Sequence, residues 1–232
     1  MFRDASFLRT FGMAVLTAWA IHNAACTSDP LHMSFTGPIA DWASYGSDPG
    51  GARYSPLNQI TKENVSELRV EWTYRTGDVS DEETGTTTAF EATPIMVDGT
   101  LFVCTPFNRI IALDPESGEE KWVFDPELDL SVSYGNQFVC RGLATWVDPG
   151  LTENNKCRRR ILTATNDARL IALDSKTGEP CVDFGNNGEV DLAVGVGGFL
   201  WKGEYQMTSP PVVVGDAVVV GSAVSDNVRM DA

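Results

Sequence analysis

At 232 residues, with 17 basic against 32 acidic side chains and a net charge of −15, the chain offers no basic footprint for nucleic acid or an anionic membrane surface. A hydrophobic share of 43% beside 21% charged residues is that of a folded globular protein, and the length suffices for one large all-β domain or two small ones. The two histidines, His22 and His32, stand near the N-terminus, which excludes a Ser-His-Asp triad or a multi-histidine zinc site in the body of the chain.

Residues 1–25 read as a secretory signal peptide. Arg3 and Arg9 precede an apolar run, FGMAVLTAWAI (11–21), and small residues follow up to Cys26. The run is shorter than the roughly 20 apolar residues of a membrane span, so an uncleaved anchor stands only as the alternative. Ala24-Ala25-Cys26 resembles a bacterial lipoprotein box in which Cys26 is lipidated, although Asn23 occupies the position where that box has leucine. Residues 26–40 form a linker, the start of a lead-in rich in Ser, Asp, Gly and Pro.

An exported chain meets an oxidising compartment, and Cys104, Cys140, Cys157 and Cys181 allow three disulfide pairings. A polar insert over 148–155 lies between Cys140 and Cys157 and favours that pair, with buried free thiols as the alternative. No Cys-x-x-Cys occurs, which removes a thioredoxin-like or zinc reading.

Beyond the lead-in, short apolar runs alternate with turn signals. One short helix is expected over 61–68. Strands are expected over 68–74 (LRVEWTY), 93–97, 101–105, 109–113, 161–165, 170–173, 211–214 and 217–220. Asp98-Gly99, Gly215-Asp216 and Asn166-Asp167-Ala168 suit the tight hairpins between them. No long apolar stripe at helical period follows the signal.

An internal repeat organises these strands. RIIALDPESGEEKWVFD (109–125) returns sixty positions later as RLIALDSKTGEPCVDFG (169–185), and LFVCTPFNRIIALD (101–114) matches ILTATNDARLIALD (161–174). Each copy reads as strand, hairpin, strand, an Asp-x-x-[Ser/Thr]-Gly turn, then another strand. The aspartate caps the turn, and Gly118 and Gly178 supply its positive φ. Trp122 is placed to lie flat between adjacent sheets; Val182 holds its position in the second copy. A third unit begins over 208–220. Repeats of four short antiparallel strands predict an all-β fold, a partial β-propeller of about three blades.

The first repeat, from Ala112-Leu113-Asp114 to Trp122, resembles the tryptophan-docking motif of quinoprotein dehydrogenases, which bind pyrroloquinoline quinone (PQQ) in an eight-bladed propeller. The segments DWASYGSDPGGARYSPLNQITKENVSELRVEWTYRTG (41–77), FEATPIMVDGTLFVCTPFNRIIALD (90–114), CRRRILTATNDARLIALDSKTGEPCVDFG (157–185) and TSPPVVVGDAVVVGSAVSDN (208–227) extend the likeness over residues 41–232. The absence of an adjacent Cys-Cys pair points to the membrane-type glucose, quinate and polyol branch. The resemblance implies oxidation of a sugar or polyol hydroxyl by hydride transfer to PQQ, with Ca²⁺ or Mg²⁺ as Lewis acid. Ubiquinone would then accept the electrons, and the chain would lie in the periplasm, lipid-anchored or membrane-associated through its N-terminus.

The same resemblance assigns residues. Glu91, Arg141 and Thr208 match positions that contact PQQ; a guanidinium suits a cofactor carboxylate. Asp226 and Asn227 match the metal ligands, oxygen donors that a hard divalent ion takes. Gln137 stands beside the substrate where part of the family has histidine; it hydrogen-bonds but does not titrate near neutral pH. Arg158, Arg159 and Arg160 read as a solvated cationic run. The family's general base, an aspartate, belongs to later blades, so the chain reads as an N-terminal fragment, inactive alone. The competing reading is a non-catalytic PQQ-repeat scaffold lipoprotein of outer-membrane assembly, to which Glu91, Arg141, Asp226 and Asn227 would be of no use.

Overall fold

The computed structural model describes residues 41–48 and 50–225. The signal peptide, the linker, Asp226 and Asn227 lie outside these residues. After a single 3₁₀ turn at Val65–Glu67, where the sequence suggested a short helix, every regular element is a strand. In chain order these are β1 (Thr88–Thr93), β2 (Ile95–Val97), β3 (Thr100–Cys104), β4 (Ile110–Leu113), β5 (Glu120–Phe124), β6 (Phe138–Gly142), β7 (Ala144–Val147), β8 (Arg159–Ala164), β9 (Arg169–Asp174), β10 (Glu189–Asp191), β11 (Tyr205–Met207), β12 (Val212–Val214), β13 (Ala217–Val219) and β14 (Ser222–Val224).

Strands β2-β3-β4-β5 form one antiparallel four-stranded blade and β7-β8-β9-β10 a second. A third unit holds two antiparallel pairs, β12–β13 and β11–β14. Between the blades, β1 and β6 run parallel, pairing Phe90 with Cys140 and Thr93 with Gly142. This is the propeller architecture that the repeat predicted.

The inner strands alternate side chains between two covered faces, so they read as unbroken apolar runs; all four residues of β4 are buried. On one face of the first blade Phe102, Ile110 and Ala112 pack with Ile161, Ile171 and Leu173 of the second. On the other, Val103, Ile111 and Leu113 pack with Trp72 and Tyr74. The second blade presents Leu162 and Ala172 to Val213 and Val218 of the third unit, and Ala164 and Leu170 to Met207.

The two repeat turns superimpose bond for bond. Asp114 Oδ1 accepts from the amides of Glu116 and Ser117, both at 3.0 Å, and Asp174 Oδ1 accepts from those of Lys176 and Thr177 at 3.0 and 2.9 Å. Gly118 and Gly178 share φ 72°, a left-handed conformation that a residue with a Cβ adopts at a cost. The bare glycines also admit an indole. Trp122 lies on Gly178 and donates from Nε1 to the Ser175 carbonyl at 3.2 Å; Trp72 lies on Gly118 and donates to the Pro115 carbonyl at 3.1 Å. Trp122 thus sits between sheets as the sequence suggested.

The segment 68–74 is extended but joins no ladder, contrary to the strand expected there. Two of its side chains dock instead: Trp72 covers Gly118, and Tyr74 donates its hydroxyl to Glu120 Oε2 at 2.6 Å, while Leu68 and Val70 stay exposed. A second latch accompanies each indole. Arg109 donates to the Thr76 carbonyl and pairs with buried Asp78, and Arg169 donates to the Pro126 carbonyl at 2.7 Å. Thr76 and Pro126 each follow the docked tryptophan by four residues.

The disulfides differ from the pair favoured by the sequence. Cys104 bonds Cys140, joining β3 to β6, and Cys157 bonds Cys181. Cys104 and Cys140 belong to the core between the first two blades, whereas Cys157 and Cys181 belong to the core on the second blade's far side. The polar insert therefore separates cysteines that end in different layers. The run 158–160 is not merely solvated: Arg159 bonds Asp98 across the blades at 2.6 Å, and buried Arg160 bonds Asp183 at 2.6 Å.

Candidate functional site

Strand β6, paired to β1, and the ribbon β11–β14 together build a cleft. Along β6 the side chains alternate. Phe138 turns to Tyr134 and Phe107, and Cys140 enters its disulfide, while Gln137, Val139 and Arg141 face the other way and line the cleft. Asn136, Thr208 and Ala223 complete a lining that encloses about 380 Å³, within the range of small-ligand sites. The Asn108 side chain braces this wall: its Nδ2 donates to the Val139 carbonyl at 3.4 Å, and its Oδ1 accepts from the Asn166 amide at 2.7 Å.

Arg141 is held on two sides. Its Nε meets Glu91 Oε2 of β1 at 2.9 Å, and its Nη1 donates to the Thr208 carbonyl at 3.4 Å. Both partners of the ion pair are about two-fifths exposed, at 39% and 43% of side-chain area. A pair so open to water contributes under about 1 kcal/mol to stability, so its consequence is orientation: with Nε and Nη1 engaged, the remaining guanidinium donors are free to meet an anion in the cleft.

The segment before β6 crosses the end of the β11–β14 ribbon. The Gly135 amide donates to the Gly203 carbonyl at 3.0 Å, and Trp201 Nε1 donates to the Ser133 carbonyl at 2.9 Å. A Cβ on Gly135 would fall on the Ser225 side chain, and one on Gly203 would lie 2.3 Å from the Ser133 carbonyl, so both close approaches require glycine.

Of the sequence-derived site residues, the structure gathers Gln137, Arg141 and Thr208 into one cleft and places Glu91 against Arg141. Asp226 and Asn227 lie outside the described residues; the chain reaches the cleft at Ala223, three positions before Asp226. Among the described residues no three or more His, Cys, Asp or Glu side chains gather to hold a metal. Sequence reasoning did not single out Asn136, Val139 or Ala223. The alternation over 137–141 carried a signal for Val139, but Ala223 becomes visible only when β14 pairs with β11.

The family model for the glucose/ethanol/alcohol dehydrogenase β-propeller domain that binds PQQ matches residues 42–232. Quinoprotein glucose dehydrogenase A of Acinetobacter calcoaceticus is 40% identical over 200 residues, covering 81% of this chain and 25% of that protein. The quinate/shikimate dehydrogenase (quinone) of Acinetobacter baylyi is 38% identical over 206 residues, covering 82% and 25%. Among solved structures, the quinohemoprotein alcohol dehydrogenase of Comamonas testosteroni is similar with a TM-score of 0.60 at 28% identity, over 79% of this chain and 23% of that one. The chain spans about a quarter of the length of these relatives.

Proposed function

The chain belongs to the PQQ-dependent quinoprotein dehydrogenase family, and from that premise we propose that its cleft is this chain's share of a PQQ site in an oxidoreductase acting on a sugar or polyol hydroxyl. The observation that carries the reading is the convergence of Arg141, Gln137 and Thr208, from two strand pairs distant in sequence, on one cleft.

The donor set fits the cofactor. PQQ is a planar tricarboxylate, and among the described residues the cleft offers one guanidinium, two carboxamides and a threonine, with the Arg141-paired carboxylate of Glu91 beside them. When bound, PQQ supplies the electrophilic quinone carbonyl that accepts hydride, and a divalent ion polarises it. Arg141 would receive a cofactor carboxylate through its free N–H donors, in the orientation that Glu91 and the Thr208 carbonyl impose. Thr208 would add its hydroxyl. Gln137 would orient the substrate hydroxyl, donating and accepting without changing charge near neutral pH. Asp226 and Asn227 are the proposed ligands of the Ca²⁺ or Mg²⁺ ion.

Relatives named for glucose, quinate/shikimate and glycerol support a polyhydroxylated substrate, and the acceptor named for the quinate enzyme supports a quinone. The signal-like sequence pattern over residues 1–25 supports a periplasmic place; among the described residues no helix is long and apolar enough to cross a membrane. Among the described residues that line the cleft there is no carboxylate to serve as the general base; the base would come from elsewhere, and the chain alone would bind and orient without turning over.

Titration of the 232-residue chain with PQQ and Ca²⁺, followed by tryptophan fluorescence, tests this. Arg141→Ala removes a charge-assisted contact worth about 1.5–3 kcal/mol, or roughly ten- to a hundred-fold in affinity. Equal affinity of wild type and Arg141→Ala would refute the site. Robust dye-coupled sugar oxidation by the chain alone would refute its dependence on residues from elsewhere.

A further inference from the structure

The ribbon β11–β14 carries a buried group that nothing above uses. Register pairs Gln206 with Ala223 and Tyr205 with Val224. Met207 packs on Ala164, Ala168 and Leu170 of the second blade, with Tyr205 beside that cluster. Side chains alternate along a strand, so Gln206 turns to the opposite face, the one that Thr208 and Ala223 share as they line the cleft. Gln206 is fully buried, yet neither its Nε2 nor its Oε1 has a hydrogen-bond partner. Ser225 continues the same face. It is bonded through its amide to the Glu204 carbonyl at 3.1 Å, and its buried Oγ is likewise unpartnered.

A carboxamide with both polar atoms buried and unmatched is costly, and native proteins keep such groups where something else satisfies them. Ala223, directly opposite, carries nothing beyond Cβ, and the Cβ atoms of an antiparallel pair stand about 5 Å apart. Gln206 is not itself among the lining residues: it lies behind Ala223 and Thr208 and is fully covered in the empty chain, so a ligand reaches it only as that thin cover shifts.

We infer that Gln206 is a further ligand-contacting residue of the cleft, whose Nε2 donates to an oxygen of the same planar polycarboxylate that Arg141 receives. The inference rests on the PQQ reading of the cleft. Gln206 is retained at the expense of the empty fold, and its carboxamide gains its partner on binding. That sets it apart from a structural glutamine, whose loss would weaken the empty protein.

The test is made on the whole chain with Gln206→Met, nearly isosteric and apolar, and Gln206→Leu as a second variant, beside Arg141→Ala. Two readouts are taken: thermal unfolding without ligand, and PQQ affinity in the presence of Ca²⁺. The expected result is an unfolding temperature unchanged or raised by about 2–4 °C, with affinity for PQQ at least about ten-fold weaker. A lowered unfolding temperature, or failure of both variants to fold, would overturn the inference. Wild-type affinity in Gln206→Met, with binding lost in Arg141→Ala, would overturn Gln206 alone. No uptake of PQQ by wild type would overturn both the inference and the reading beneath it.

Discussion

Replacing Gly178 by alanine separates the docking of one blade on the next from the strain of the turn itself. Two costs arise. An L-residue at φ 72° costs about 1–2 kcal/mol. The new Cβ would also stand 2.6 Å from Trp122 Cε3 and 2.7 Å from its Cδ2, an overlap that the ring relieves only by leaving its seat and lengthening its bond to the Ser175 carbonyl. Overpacking of that kind costs a further 1–3 kcal/mol or so. Gly99 is the control, since it has φ 66° and nothing within 4 Å of a built Cβ, so Gly99→Ala carries the first cost alone. Urea unfolding of the two variants is therefore expected to differ by about 1–3 kcal/mol, with Gly178→Ala the weaker. Gly118→Ala is expected to behave like Gly178→Ala, because Trp72 Cδ2 lies 2.5 Å from its built Cβ. Equal losses at Gly178 and Gly99 would refute the claim that the indole seat holds the blades together.

Peptide mapping without reduction is expected to yield Cys104–Cys140 and Cys157–Cys181. Loop separations of 36 and 24 residues give each bond about 3–4 kcal/mol by chain entropy, and a Cys140–Cys157 peptide would contradict the layered core. Asp78→Asn leaves the Arg109 latch without its charged partner and is expected to cost about 1–3 kcal/mol in urea unfolding; a loss below 0.5 kcal/mol or so would show the latch to be idle. The hydroxyl of Tyr74 is pushed up to about 12, chiefly by donating to Glu120, and that of Tyr134 to about 12, chiefly by burial. A raised acid pKa stabilises below the unfolded value and is lost as pH climbs through the folded one. Stability should therefore decline from about pH 10 to pH 12, and ultraviolet titration should show a late phenol step that shrinks in Tyr74→Phe; an unchanged step would contradict the bond to Glu120.

Local signals were legible and long-range pairings were not. The Asp114 and Asp174 turns lie within five residues of chain, so their capping bonds and positive-φ glycines follow from the motif alone. Trp122 was readable because its own repeat contains it. Trp72 was not, because it precedes the first copy of the repeat and only the fold brings it to Gly118, 46 positions downstream. The same distance problem hid the parallel pairing of β1 with β6, and with it the choice of Cys104 as the partner of Cys140. Arg141, Gln137 and Thr208 were singled out by resemblance, and the alternation of β6 explains why Gln137 and Arg141 share a face with Val139. Gln206 gave no sign in the sequence, since its oddity lies in burial without a partner.

The central claim is that the cleft between β6 and β11–β14 receives PQQ. A crystal structure of the chain grown with PQQ and Ca²⁺ tests it most directly. The expected result is a planar ligand bounded by Gln137, Arg141, Thr208 and Ala223, with a carboxylate on the Arg141 guanidinium. A ligand seated elsewhere on the chain, or an empty cleft at saturating PQQ, would contradict the account.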